Sequence, residues 1–130
     1  MNEIYEFLKA CKTYYLATVE GDQPRVRPFG TIDVFDGKLT IQTGKVKAVS
    51  RQMHANPKIE ICAFADGKWI RVEAIVKEDP RIEAQEHMLE NYPELKGMYR
   101  AGDGNNEIFA LEKGKATIFT FGAAPKTIQF

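Results

Sequence analysis

Nine consecutive residues, Thr43-Gly44-Lys45-Val46-Lys47-Ala48-Val49-Ser50-Arg51, bring hydroxyls, a glycine and cations together where an alternating pattern gives way to a helical one. A helix start has unpaired N–H groups and the positive end of the helix dipole, so added lysines and hydroxyls suit it to an anion such as a phosphate. Thr43, Lys45, Lys47 and Ser50 are the groups that would reach such an anion, and Gly44 lets the backbone come close. The plainer alternative is a surface helix with solvated lysines. Neither GxxxxGK[ST] nor GxGxxG occurs, which removes the P-loop and dinucleotide-fold readings.

Two more groupings carry chemistry. Arg25, Arg27 and Phe29 alternate onto one side of a strand pattern whose other side holds Val26, Pro28, Gly30, Ile32 and Val34. Pro28 cannot donate a ladder hydrogen bond, so this strand is an edge or is bulged. Trp69 and Arg71 share a strand face with Glu73, as an interface anchor or a platform for a flat ring, unless Arg71 simply pairs with Glu73 or Glu60. His54 and His87 lie on polar and acidic helix faces and read as solvated. Ser50 has no Ser-His-Asp partner set. Cys11 and Cys62 lack ligand spacing, so free thiols and no metal are expected.

The elements that must hold these residues follow from periodicity. Asn2 to Ala10 places Ile4, Phe7 and Leu8 at helical spacing. Thr13 to Glu20, a strand through Arg25 to Phe35, and Lys38 to Thr43 form a meander turning at Gly21-Asp22 and Asp36-Gly37. Val46 to Asn56 reads as a helix with Val46, Val49 and Met53 on its core side, stopped by Pro57. Lys58 to Ala65 and Lys68 to Glu78 alternate as a hairpin around Asp66-Gly67. A helix opens at Pro80 and runs to about Glu90; Tyr92 to Asn106 is mostly loop around a short turn of helix; a last hairpin turns at Lys113-Gly114, with an extended tail to Phe130. The sum is mainly β, an antiparallel sheet of about six strands closed into a small barrel with helices outside.

The 130 residues fit one domain, 1–130, and carry no net charge. Lys38 to Lys58 contains no carboxylate, while acids gather from Glu73 to Glu94, so a local anion is expected and broad nucleic-acid binding is not. No apolar run approaches a membrane span or a signal peptide, and a cytoplasmic home is the default expectation.

In order and spacing, Tyr14-Tyr15-Leu16-Ala17-Thr18-Val19, Pro24-Arg25-Val26-Arg27-Pro28-Phe29, Gly37 to Ile41 leading into Thr43 to Lys47, Asn56-Pro57, Gly67 to Val72 and Ala116 to Gly122 resemble the pyridoxamine 5′-phosphate oxidase-like FMN-binding split-barrel family. The likeness covers nearly the whole chain. It implies a six-stranded antiparallel split β-barrel with flanking helices, and a homodimer with FMN at the subunit interface. It also implies an oxidoreductase passing hydride through flavin between small-molecule donor and acceptor. By position it assigns Arg25, Arg27, Thr43, Lys45, Lys47 and Ser50 to phosphate and ribityl, Gln42 and Phe29 to the ring, and Trp69 and Arg71 to a reach from the partner subunit. After Gly122, Lys126 is the one charged residue, unlike the arginine and histidine segment that holds substrate phosphate in pyridoxamine phosphate oxidases. The alternative reading is a non-catalytic flavin or small-ligand binding protein.

Overall fold

The β-branched and aromatic runs become eight strands in a computed structural model that describes residues 1–130. Helix α1 (Asn2–Cys11) precedes β1 (Tyr14–Glu20), β2 (Gln23–Phe29), β3 (Asp33–Phe35) and β4 (Lys38–Gly44). Helix α2 (Ala48–Ala55) leads to β5 (Lys58–Ala65) and β6 (Lys68–Glu78); α3 (Ile82–Asn91) and a short 3₁₀ helix (Pro93–Gly97) then precede β7 (Asn106–Thr120) and β8 (Lys126–Gln129). No helix is long and apolar enough to cross a membrane.

All neighbouring strands pair antiparallel, in the order β2-β1-β5-β6-β7-β4-β3. The axis of this sheet is β7. Along one edge it pairs with β6, while its other edge takes β4 at Asn106 to Ala110 and β8 at Lys115 to Ile118. Alternation turns Tyr14, Leu16, Ile59, Ile61, Ala63, Ile70, Val72, Ala74 and Val76 into one buried core, onto which α1 lays Ile4 and Leu8.

The barrel closes through side chains where a ladder is missing. Thr31, in the link between β2 and β3, accepts a hydrogen bond at Oγ1 from the Gln42 backbone N–H (3.1 Å), and its carbonyl accepts one from the Tyr14 hydroxyl (2.5 Å). Burial raises the Tyr14 hydroxyl well above its ordinary pKa, so it stays a donor. On the outer side of β4 and β7, α3 packs Ala84 and Met88 against Ile108. Asp33, buried at the start of β3, ties α3 down by accepting from Asn91 Nδ2 (2.5 Å) and contacting His87 Nδ1 (2.6 Å).

The split barrel expected from the sequence is the observed fold, with eight strands where six were expected. The strand read through Arg25 to Phe35 breaks after Phe29, because Gly30 to Ile32 crosses to form the seam. Helix α2 begins two residues late, and Val46, expected in the core, is 83% exposed in the turn before it. The hairpin expected at Lys113-Gly114 does not form. There β7 runs straight through, with Lys113 at φ 50° making a kink that the register shift between Glu73 and Ile75 of β6 follows. The tail folds back as β8, and Gly114 exchanges both backbone hydrogen bonds with Phe130, whose ring fills the space a side chain at 114 would need.

Candidate functional site

A cleft of about 400 Å³ opens between the end of β2, the outer side of β4, the turn into α2 and the 3₁₀ segment. Phe29, Gln42, Thr43 and Lys47 line it on one side, and Tyr92, Leu95, Met98 and Tyr99 on the other. Lys47, at one end of this lining, is the residue that opens α2, and no side chain caps that helix start, which leaves its first N–H groups free. Gln42 Nε2 donates to the Thr43 carbonyl (3.2 Å) and to Asn106 Oδ1 (3.0 Å). Both its protons are used, so Oε1 is what Gln42 can offer a ligand. The buried Asn106 Nδ2 beside it has no partner.

The other six residues singled out from the sequence lie elsewhere. Arg27 is a strut under α2: Nη1 donates to the Leu16 carbonyl (3.1 Å) and Thr18 Oγ1 (2.8 Å), and Nη2 to Gln52 Oε1 (2.5 Å). Burial, with Arg25 adding, lowers its pKa, yet a guanidinium remains charged. Arg25 pairs with Glu20 (3.0 Å) at the rim. Lys45 points to Glu78 (4.0 Å), and Ser50, buried, donates to Glu107 Oε1 (2.5 Å), so neither lines the cleft. Trp69 stacks on Phe119 (4.0 Å between centroids, 11°), with the Arg71 guanidinium 5.3 Å from the indole and 3.4 Å from Glu60.

Register explains the separation. Phe29 pairs with buried Tyr14 and shares its side of the sheet, whereas Trp69 pairs with Phe64, which is 69% exposed on the opposite side. Tyr15, Val26, Cys62, Phe64, Trp69, Arg71 and Phe119 therefore share one outer face, and none of them lines the cleft.

The short helical turn expected within Tyr92 to Asn106 is the 3₁₀ segment, but sequence reading gave Tyr92, Leu95, Met98 and Tyr99 no place in a site. The signal for three of them was the three-residue spacing of Tyr92, Leu95 and Met98 about Pro93, the period of a 3₁₀ helix. Tyr92 anchors this wall, since its hydroxyl donates to the Ile32 carbonyl (3.1 Å) and accepts from the Ile32 N–H (3.0 Å).

Residues 1–116 match the family model described as pyridoxamine 5′-phosphate oxidase. The chain belongs to that family. A NimC/NimA family protein from Clostridium acetobutylicum shares 43% identity with this family member over 100% of this chain and 92% of the other, with a TM-score of 0.97. General Stress Protein 26 from Bacillus anthracis has a TM-score of 0.75 at 19% identity, covering 98% and 97% of the two chains. The haem storage protein HutZ from Vibrio cholerae has a TM-score of 0.69 at 21% identity, covering 92% of each. The last two likenesses are of fold alone. No curated protein matches the chain.

Proposed function

We propose that this member of the pyridoxamine 5′-phosphate oxidase family binds FMN in the Phe29–Lys47 cleft and acts as an oxidoreductase on small molecules. The observation that carries the reading is convergence: Phe29 from the end of β2, Gln42 and Thr43 from β4, and Lys47 from an uncapped helix start line one cleft. Its volume lies within the ~300–1,000 Å³ usual for small-molecule sites. Lys47 and the first N–H groups of α2 offer a phosphate an ammonium and a dipole. Phe29 offers a flat apolar face, and Gln42 Oε1 an acceptor. A ligand or water acceptor entering beside Gln42 would also relieve the orphaned Asn106 donor, a gain of roughly 1–3 kcal/mol.

Bound there, FMN would supply hydride transfer between donor and acceptor; the protein's own groups bind and orient it. Tyr92, Leu95, Met98 and Tyr99 shield the cleft from water on one side. Trp69 and Arg71 do not line their own chain's cleft, so any contact they make with a ligand there comes from a second copy. The exposed apolar face around them supports a homodimer.

The absorption spectrum of the purified chain is the test. A flavin spectrum, FMN released on denaturation, and bleaching by NADH or NADPH under anaerobic conditions are expected. Bound flavin that neither nicotinamide reduces would leave a non-catalytic binder. A colourless protein that takes up no added FMN overturns the proposal, and an intense haem band would reassign the cleft to haem, the ligand named for HutZ.

A further inference from the structure

The barrel has a second polar feature, at the mouth closed by α2. The inward row of β6 runs Ile70, Val72, Ala74, Val76 and ends in Glu78; the inward row of β7 runs Leu111, Phe109 and ends in Glu107. Register sets Glu78 opposite Phe109, so both rows of core side chains finish in carboxylates at the same end. His54, in the last turn of α2, spans them: its Nε2 is 2.7 Å from Glu107 Oε2 and 3.8 Å from Glu78 Oε1.

We infer that His54, Glu78 and Glu107 form a binding site for a divalent transition-metal cation at the mouth of the barrel. One ligand atom from each of the three lies within 4.8 Å of the others, close enough for one ion to bridge after small side-chain adjustments. Independently, Glu107 is 1% exposed, and a carboxylate so buried calls for a cation or a metal. Its direct partners are the Ser50 hydroxyl on Oε1 and the His54 ring on Oε2. Lys45, the nearby ammonium, lies against Glu78 Oε2 instead. Ser50 fixes the Glu107 carboxylate so that Oε2 faces the mouth, and the Phe109 ring, 5.2 Å from the imidazole centroid, limits how that imidazole can turn. Such outer partners are what orient metal ligands in built sites.

The donor set names the class of ion. One imidazole with two carboxylates suits Zn²⁺ and its neighbours better than Mg²⁺ or Ca²⁺, which take oxygen ligands. His54 and Glu78 are both part-exposed, so an ion has an approach from solvent and water can complete its coordination. Binding would join β6, β7 and α2, which makes stability a readout independent of any catalysis.

The experiment uses the full chain stripped of metal by a chelator, with Zn²⁺ followed by calorimetry and thermal denaturation, and Co²⁺ followed by its visible absorption. A single equivalent per chain, a raised Tm and a Co²⁺ spectrum showing nitrogen and oxygen ligation are expected. His54→Ala and Glu78→Gln, both at part-exposed positions where folding should persist, should each weaken Zn²⁺ by at least about 10- to 100-fold, the loss found when groups that merely orient ligands are removed. No spectrum and no Tm change at saturating metal would overturn the inference. Undiminished affinity in both variants would do so too, since the ion would then sit elsewhere.

Discussion

Lys45 and Lys47 stand two residues apart and serve different surroundings. Lys47 opens α2 and lines the cleft, whereas Lys45 turns to Glu78 at the barrel mouth. In a helix these positions would face apart by more than a right angle; here the turn before Ala48 separates them further. If FMN phosphate sits at the helix start, Lys47→Ala should weaken FMN by roughly 1.5–3 kcal/mol, the cost of a charge-assisted hydrogen bond, and Lys45→Ala by far less. Fluorescence titration of the apoprotein with FMN reads both, and equal losses would contradict the placement. Asp103 gives a pH effect at the same scale. Backbone N–H groups of Asn106, Arg100 and Asn105 hold its carboxyl below the usual aspartate range. Because the folded pKa is the lower one, this stabilisation is present above about pH 3.9 and is lost as pH falls through the folded value. Asp103→Asn should therefore narrow the stability difference between neutral and strongly acidic solution, as measured by urea unfolding at the two pH values. An unchanged difference would mean the turn also forms in the unfolded chain.

At the scale of elements, the side-chain seam is the weak point of the barrel. Thr31→Val removes the acceptor of the buried Gln42 N–H and should cost about 1–3 kcal/mol in urea unfolding. The kink in β7 makes a second test. Gly114→Ala drives a methyl into the Phe130 ring, and the expected loss, about 1–3 kcal/mol for overpacking, should shrink when Phe130→Ala is added. Local pattern made most strands legible. Ile59, Ile61 and Ala63, or Ile70, Val72, Ala74 and Val76, alternate with less buried residues, several of them charged, and Gly21, Gly37 and Gly67 mark their turns at positive φ. Lys113-Gly114 carries the same local signal and misleads, because β6 continues alongside and holds both halves of β7 in one strand. Nothing within the segment itself reports that partner. The cleft divides the same way: Lys47 and Thr43 announce themselves by type, while Ser50 and Lys45 share that type and are claimed by Glu107 and Glu78 from distant strands. Sequence spacing had no means of pairing residues 50 and 107.

Over the whole molecule, the two sides of the sheet have different partners. One side meets α1, α2 and the core; the other carries α3 against β4 and β7 and, beyond it, exposes Tyr15, Val26 and Phe64 beside the Trp69–Phe119 stack. In the proposed dimer this face is buried, so Phe64→Asp should yield monomers in sedimentation and reduce FMN retention together. A dimer that survives the change would place the interface elsewhere.

Because the cleft and the tryptophan stack share no residue, a chain crippled in one still carries the other intact. Mixing Lys47→Ala chains with Trp69→Ala chains should then build hybrid pairs in which one pocket inherits both defects and its twin inherits none. Such hybrids would regain half of the native flavin load from two parents that each bind poorly, a genetic complementation written into the geometry of a single sheet.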